Sequence, residues 1–239
     1  MFQEAILNFD VNKWVGELDE ALDSYTSLHD PIFCGNAMTE YYQNSKLIEC
    51  IVLGTAVQEK ENTGVEPSKE YLQTVADKYV KEFSEQAFNG VLVYRRQMVV
   101  ISSTIFEALL NEFLKCYFLE NPQKMYNYAS VGGNVKFKDI LQFSSKEELL
   151  NHYACVSAKR FTGKTWKTVL NNLEKLLKLG NEQRETLLRM LEVRNEIIHE
   201  ASKKPVEHDD VFDFINAVKD FANSISSKVK HNKKFKSDS

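Results

Sequence analysis

Apolar residues recur at three- and four-residue spacing along almost the whole chain, the period of an amphipathic helix and not of a strand. Segments around residues 11–28, 37–60, 68–87, 90–120, 145–160, 165–179, 182–203 and 209–230 carry this pattern, and each predicts a helix. Several boundaries are explicit. Pro67-Ser68 opens one helix and Asn121-Pro122 closes another, since proline cannot continue a helix. Ser145 with Glu148 forms a capping-box pair. Gly180, after Leu177-Lys178-Leu179, is placed for a left-handed cap, and Asn181 for capping the helix that follows. Two loops interrupt the pattern, Glu61 to Glu66 and Ser130 to Asn134 with its Gly132-Gly133 pair. A short β-hairpin near residues 129–143 is an alternative there, although the segment does not alternate. The expected fold is all-α, an up-down helical bundle with additional N-terminal helices. Its expected organisation is an N-terminal helical extension over residues 1–88 packed on the core, a bundle over 89–226 and a basic flexible tail over 227–239.

Composition narrows the class without changing this picture. The 239 residues are 43% hydrophobic and 27% charged, a globular balance, and nine glycines with four prolines are few for a turn-rich β protein. The four cysteines, Cys34, Cys50, Cys116 and Cys155, are too dispersed for a zinc ribbon or a redox pair. Three of them sit among apolar neighbours and read as small buried hydrophobes. The N-terminus carries Glu4 and Asp10 where a secretory leader needs an unbroken apolar run. No stretch is apolar enough to span a membrane. A reduced, cytoplasmic protein is the expectation. The net charge of −4 argues against binding polyanions by bulk charge, although Lys228, Lys230, Lys233, Lys234 and Lys236 make the C-terminal end basic.

The segment with chemical content is 182–203. At about 100° per residue, Leu187, Met190, Leu191, Ile198 and Ala201 form one apolar stripe, and Arg194 falls in its middle. A charge facing a core is costly unless it is paired. Asn195 and His199, four residues apart, are neighbours on the flank of that stripe. An arginine, an asparagine and a histidine therefore sit side by side at the edge of a buried face.

The run Arg194-Asn195-Glu196-Ile197-Ile198-His199 resembles the signature of the HEPN family, an arginine followed by a polar residue with a histidine roughly four to six positions on. Phe106-Glu107-Ala108-Leu109-Leu110-Asn111-Glu112-Phe113, on the helix predicted over 90–120, is similar to the central helix of such domains. The resemblance spans roughly residues 90–225. It implies a metal-independent endoribonuclease with neither metal nor cofactor, leaving 2′,3′-cyclic phosphate and 5′-hydroxyl ends. It also implies a homodimer that places two copies of the motif across its interface, and a role as a growth-arresting toxin or antiviral effector with an antitoxin or regulatory protein as partner.

The residues can support that chemistry. His199 is the proton carrier, because histidine alone titrates near neutral pH without perturbation. Glu196 and Glu200 lie close enough in sequence to support the imidazolium. Arg194 offers phosphate oxygens an always-charged fork, and Asn195 can orient either the phosphate or the imidazole. Against this stands a structural role for Arg194, pairing with Glu107 or Glu112 to hold two helices in register. Lys159, Arg160, Lys164 and Lys167, with Phe161 and Trp166 around Gly163, can hold RNA by charge and stacking, or be a helix–helix loop with one buried aromatic. His29, His152, His208 and His231 are scattered without metal-ligand spacing, and His208-Asp209-Asp210 reads as the acidic start of the last helix. The competing functions are a catalytically silent module binding RNA, a nucleotide or a protein, and a purely structural protein.

Overall fold

The structure, a computed structural model, describes residues 9–33, 37–129, 137–199 and 205–237. Every regular element among them is a helix: α1 Val11–Phe33, α2 Ala37–Gln43, α3 Lys46–Thr63, α4 Lys69–Glu120, α5 Pro122–Ala129, α6 Phe137–Gln142, α7 Lys146–Thr162, α8 Trp166–Leu177, α9 Asn181–His199 and α10 His208–Ser237. The protein is an all-α helical bundle. No helix among the described residues is long and apolar enough to cross a membrane.

The elements differ from the sequence pattern in instructive ways. The single helix expected over 37–60 is two, because Ser45 takes an extended backbone and its hydroxyl caps α3 by accepting from the Ile48 amide. The two helices expected over 68–87 and 90–120 are one, since Gly90 stays helical in open surroundings. At the end of α8 the left-handed cap is Lys178, with φ 57°, and not Gly180. Helix α8 ends after Leu177, and the sharp turn at Lys178 lets Leu179 point inward as a buried residue. Asn181 is then the first residue of α9, and the Gly180 carbonyl accepts the first helical bond from Arg184. Of the hairpin alternative near 129–143, residues 137–142 are helical and 130–136 lie outside the described residues. The capping box at α7 forms with a shift: the Glu148 amide donates to Ser145, but the Glu148 carboxylate accepts from Ser144.

Two compact units are present, one comprising Met1–Leu22 and Met98–Ser239, the other Asp23–Gln97. In the first, the C-terminal half of α4 contributes Phe106, Leu109, Leu110, Leu114 and Phe118, all fully buried. Helix α5 packs on α7, α8 on α9 and α9 on α10. Phe106 meets Phe221 of α10 edge-to-face at 5.0 Å and Trp166 of α8 at 6.1 Å, so one aromatic ring joins three helices. Lys219 of α10 pairs with Asp19 near the start of α1.

The second unit is held by a smaller core that includes Tyr25, Ile48, Val80 and Val91. It also buries Arg95. That guanidinium donates to His29 Nε2 at 2.9 Å and lies 4.7 Å over the Phe33 ring, which stacks on the His29 imidazole. With Nε2 accepting, Nδ1 carries the proton and donates to Asp30 at 3.1 Å. The imidazole thus relays the charge of a buried arginine to an exposed carboxylate.

Candidate functional site

Helix α9 buries Leu187, Met190 and Leu191, then leaves the core. The stripe expected to continue through Ile198 stops short: Ile198 is 45% exposed, and Ala201 lies outside the described residues. Arg194 therefore occupies the boundary where the apolar face gives out, with its side chain 24% exposed. This resolves the cost that a core position would impose, because the guanidinium keeps part of its hydration.

Two side chains hold it. Arg194 Nη1 donates to Asn195 Oδ1 at 3.0 Å, and Nη2 lies 3.7 Å from Glu107 Oε1 on α4. Of the two carboxylates that qualify from sequence, Glu107 is the one in reach. Glu112 instead faces Cys116, where burial first and the Glu112 charge second push the thiol up to about 11. Arg194 Nε is buried with no acceptor among the described residues. One long ion pair and one neighbouring amide leave this guanidinium incompletely satisfied. Asn195 is turned toward Arg194 and not toward the imidazole. His199, the last described residue of α9, is exposed, and Glu196 one turn before the end is half-buried.

The junction of α7 and α8, around which the basic residues lie, meets α4 near Glu107. Thr162 Oγ1, at the end of α7, lies 3.5 Å from the Oδ1 of Asn111, one turn beyond Glu107 on α4, although the closer acceptor for its single proton is the Ala158 carbonyl at 3.2 Å. Lys159, Arg160, Lys164 and Lys167 are all exposed. Phe161 is buried and the Trp166 ring packs on Phe106, so the aromatics of this stretch belong to the core. Asn111 shares a polar strip with Glu107 at four-residue spacing, but its meeting with Thr162 had no signal in the sequence, since the two are 51 positions apart.

Beside Lys167 is a cleft of about 180 Å³ lined by Leu170, Asn171, Arg184, Glu185 and Leu188. Its arginine is committed: Arg184 donates to Asn171 and Glu174 at 3.0 Å and to Glu185 at 2.7 Å, and the bond to Glu185 first, with the Glu174 carboxylate beside it, raises its pKa. Arg189 likewise pairs with Asp210 and Asp213 at the acidic start of α10. Among the described residues no cluster of three or more histidine, cysteine or acidic side chains is arranged to hold a metal. The expectation of three buried cysteines is not met among the described residues: Cys50 is exposed, on a helix that buries only Ile48, and Cys116 and Cys155 are half-buried.

A sequence model of the family described as RiboL-PSP-HEPN matches residues 46–231, a span that includes α3 and all of α4 as well as the Arg194 helix. No curated protein and no solved structure matches the chain.

Proposed function

Because the chain belongs to the RiboL-PSP-HEPN family, a HEPN family, we propose that it is a metal-independent endoribonuclease working as a homodimer. The observation that carries this reading is the placement of Arg194: a cation at the exposed end of a packed helix, incompletely satisfied by Glu107 and Asn195, with His199 exposed five residues on.

In the proposed reaction the ribose 2′-oxygen attacks the adjacent phosphorus and the bond to the 5′-oxygen breaks. The products are a 2′,3′-cyclic phosphate and a 5′-hydroxyl. One imidazole takes the proton from the 2′-hydroxyl and a second delivers a proton to the leaving 5′-oxygen. A single chain supplies one His199, so the second imidazole comes from a second copy. The exposed Ile198 beside the motif is an apolar residue that such a partner would cover. Arg194 neutralises the non-bridging oxygens as charge grows on them, and Glu107 with Asn195 keeps the fork aimed. A role as toxin or antiviral effector, with an antitoxin or regulatory partner and a cytoplasmic site of action, is part of the same proposal and rests on family resemblance.

The test is incubation of the purified protein with structured RNA in the presence of EDTA. We expect cleavage that His199→Ala reduces by about 10²-fold or more, the usual contribution of a proton-transfer group. The melting temperature of this variant should stay within error of the parent, because the side chain is exposed. Intact RNA across a range of substrates overturns the proposal. The Glu107 contact supports a second reading, a catalytically silent module in which Arg194 only ties α9 to α4. Under that reading Arg194→Ala lowers the melting temperature and leaves RNA binding unchanged.

A further inference from the structure

Between Glu148 and Glu174 the chain has no acidic residue, yet it carries Lys159, Arg160, Lys164 and Lys167. In a molecule of net charge −4 this is a local reversal of sign. All four side chains are exposed, and none forms an ion pair among the described residues, whereas Arg184 and Arg189 nearby in sequence are each held by two carboxylates. Their charge is therefore available to a ligand.

Two contacts fix the place of this junction. Thr162 reaches Asn111 and Trp166 packs on Phe106. Phe106 and Asn111 bracket Glu107 on α4, and Glu107 is the carboxylate beside Arg194. The step from Glu107 to Asn111 is four residues, about 6 Å of rise, comparable with the spacing of neighbouring phosphates along an extended strand. The junction that carries these cations thus meets α4 on either side of Glu107, within one compact unit.

We propose that the α7–α8 junction is a backbone-binding segment of the same site. It grips phosphates of a single-stranded RNA adjacent to the phosphate held at Arg194. This rests on the reading of Arg194 and His199 as the cleavage pair. The segment reads charge and not sequence, because Phe161 is buried and Trp166 is turned onto Phe106, which leaves no aromatic platform for bases. A single strand is favoured because in-line attack by the 2′-oxygen needs a backbone free to leave duplex geometry.

The experiment uses the full chain carrying His199→Ala, so that RNA stays intact, and a labelled oligouridylate as probe. Affinity is measured against salt with and without Lys159→Ala and Lys164→Ala together. Two lost phosphate contacts should reduce the slope of log K against log salt by about 1.4, at roughly 0.7 per contact on a single strand. The loss should be the same for an adenine-containing strand of equal length. The exposed pair Lys146→Ala with Lys175→Ala controls for bulk charge. A slope that drops no more than in this control overturns the proposal, as does failure of the His199→Ala chain to bind any strand. In the active background the double variant should cleave a long strand with raised KM. Wild-type protein that binds with the expected slope yet never cleaves sinks the cleavage pair and leaves the binding segment standing. Wild-type protein that cleaves while the slope is unchanged does the reverse.

Discussion

At the scale of single residues, two arginines show how differently one side chain is managed. Arg95 is buried, and its charge is passed through His29 to Asp30. His29→Ala removes the acceptor and the ring on which Phe33 stacks, so it should cost about 2–3 kcal/mol in chemical denaturation, the scale of a buried bond to a charged group. Arg194 keeps contact with solvent and has only a long pair with Glu107. Glu107→Gln should therefore cost about 1 kcal/mol or less, and any effect on RNA cleavage should exceed its effect on stability. Cys116 gives a pH dependence. Its thiol is shifted from 9.0 to about 11, chiefly by burial and then by Glu112. An unfolded chain ionises this thiol first, so its contribution is intact below pH 9 and is lost as pH rises toward 11. Melting temperatures measured across that window should fall less steeply in Cys116→Ser than in the parent.

At the scale of elements, stability is spread unevenly. Helix α8 buries an apolar face along its length and α9 the middle of its own, while α3 buries only Ile48 and leans on its caps at Ser45 and Gly64. On α7, Ser145→Ala removes a cap whose hydroxyl accepts from Glu148, and should cost about 1 kcal/mol in thermal or denaturant unfolding. The helix periodicity and most helix ends were legible in the sequence because capping and apolar spacing are local. Three features were not, for physical reasons that are not local. Gly90 does not break α4, because a glycine in a helix costs only about 1 kcal/mol, which packing on either side outweighs. The cap of α8 falls on Lys178 because Leu179 must turn into the core. The apolar stripe of α9 ends before Ile198 because no helix among the described residues covers it there.

At the scale of the whole molecule, Phe106 is the joint on which α4, α8 and α10 meet. Phe106→Ala should cost about 3–5 kcal/mol, because three helices cannot all close on the space that a lost ring leaves. Because the proposed reaction needs two imidazoles, sedimentation at micromolar concentration should show a dimer. A monomer that still cleaves RNA would sink the composite site and spare the chemistry.

What the amino-acid sequence determined by itself was the helical class, the position of the Arg194–His199 motif and the family resemblance that goes with it. All three follow from spacings of a few residues, the first repeated along almost the whole chain and the other two centred on one helix. Only the tertiary structure decided that Glu107 and not Glu112 meets Arg194, that Asn195 turns to the guanidinium, and that Thr162 and Trp166 of the α7–α8 junction meet α4 on either side of Glu107. Those outcomes depend on how α4 is rotated and which of its turns faces α9 and α7. That rotation is set by the shape of the shared core around Phe106, a property of many side chains packed together and of no local segment.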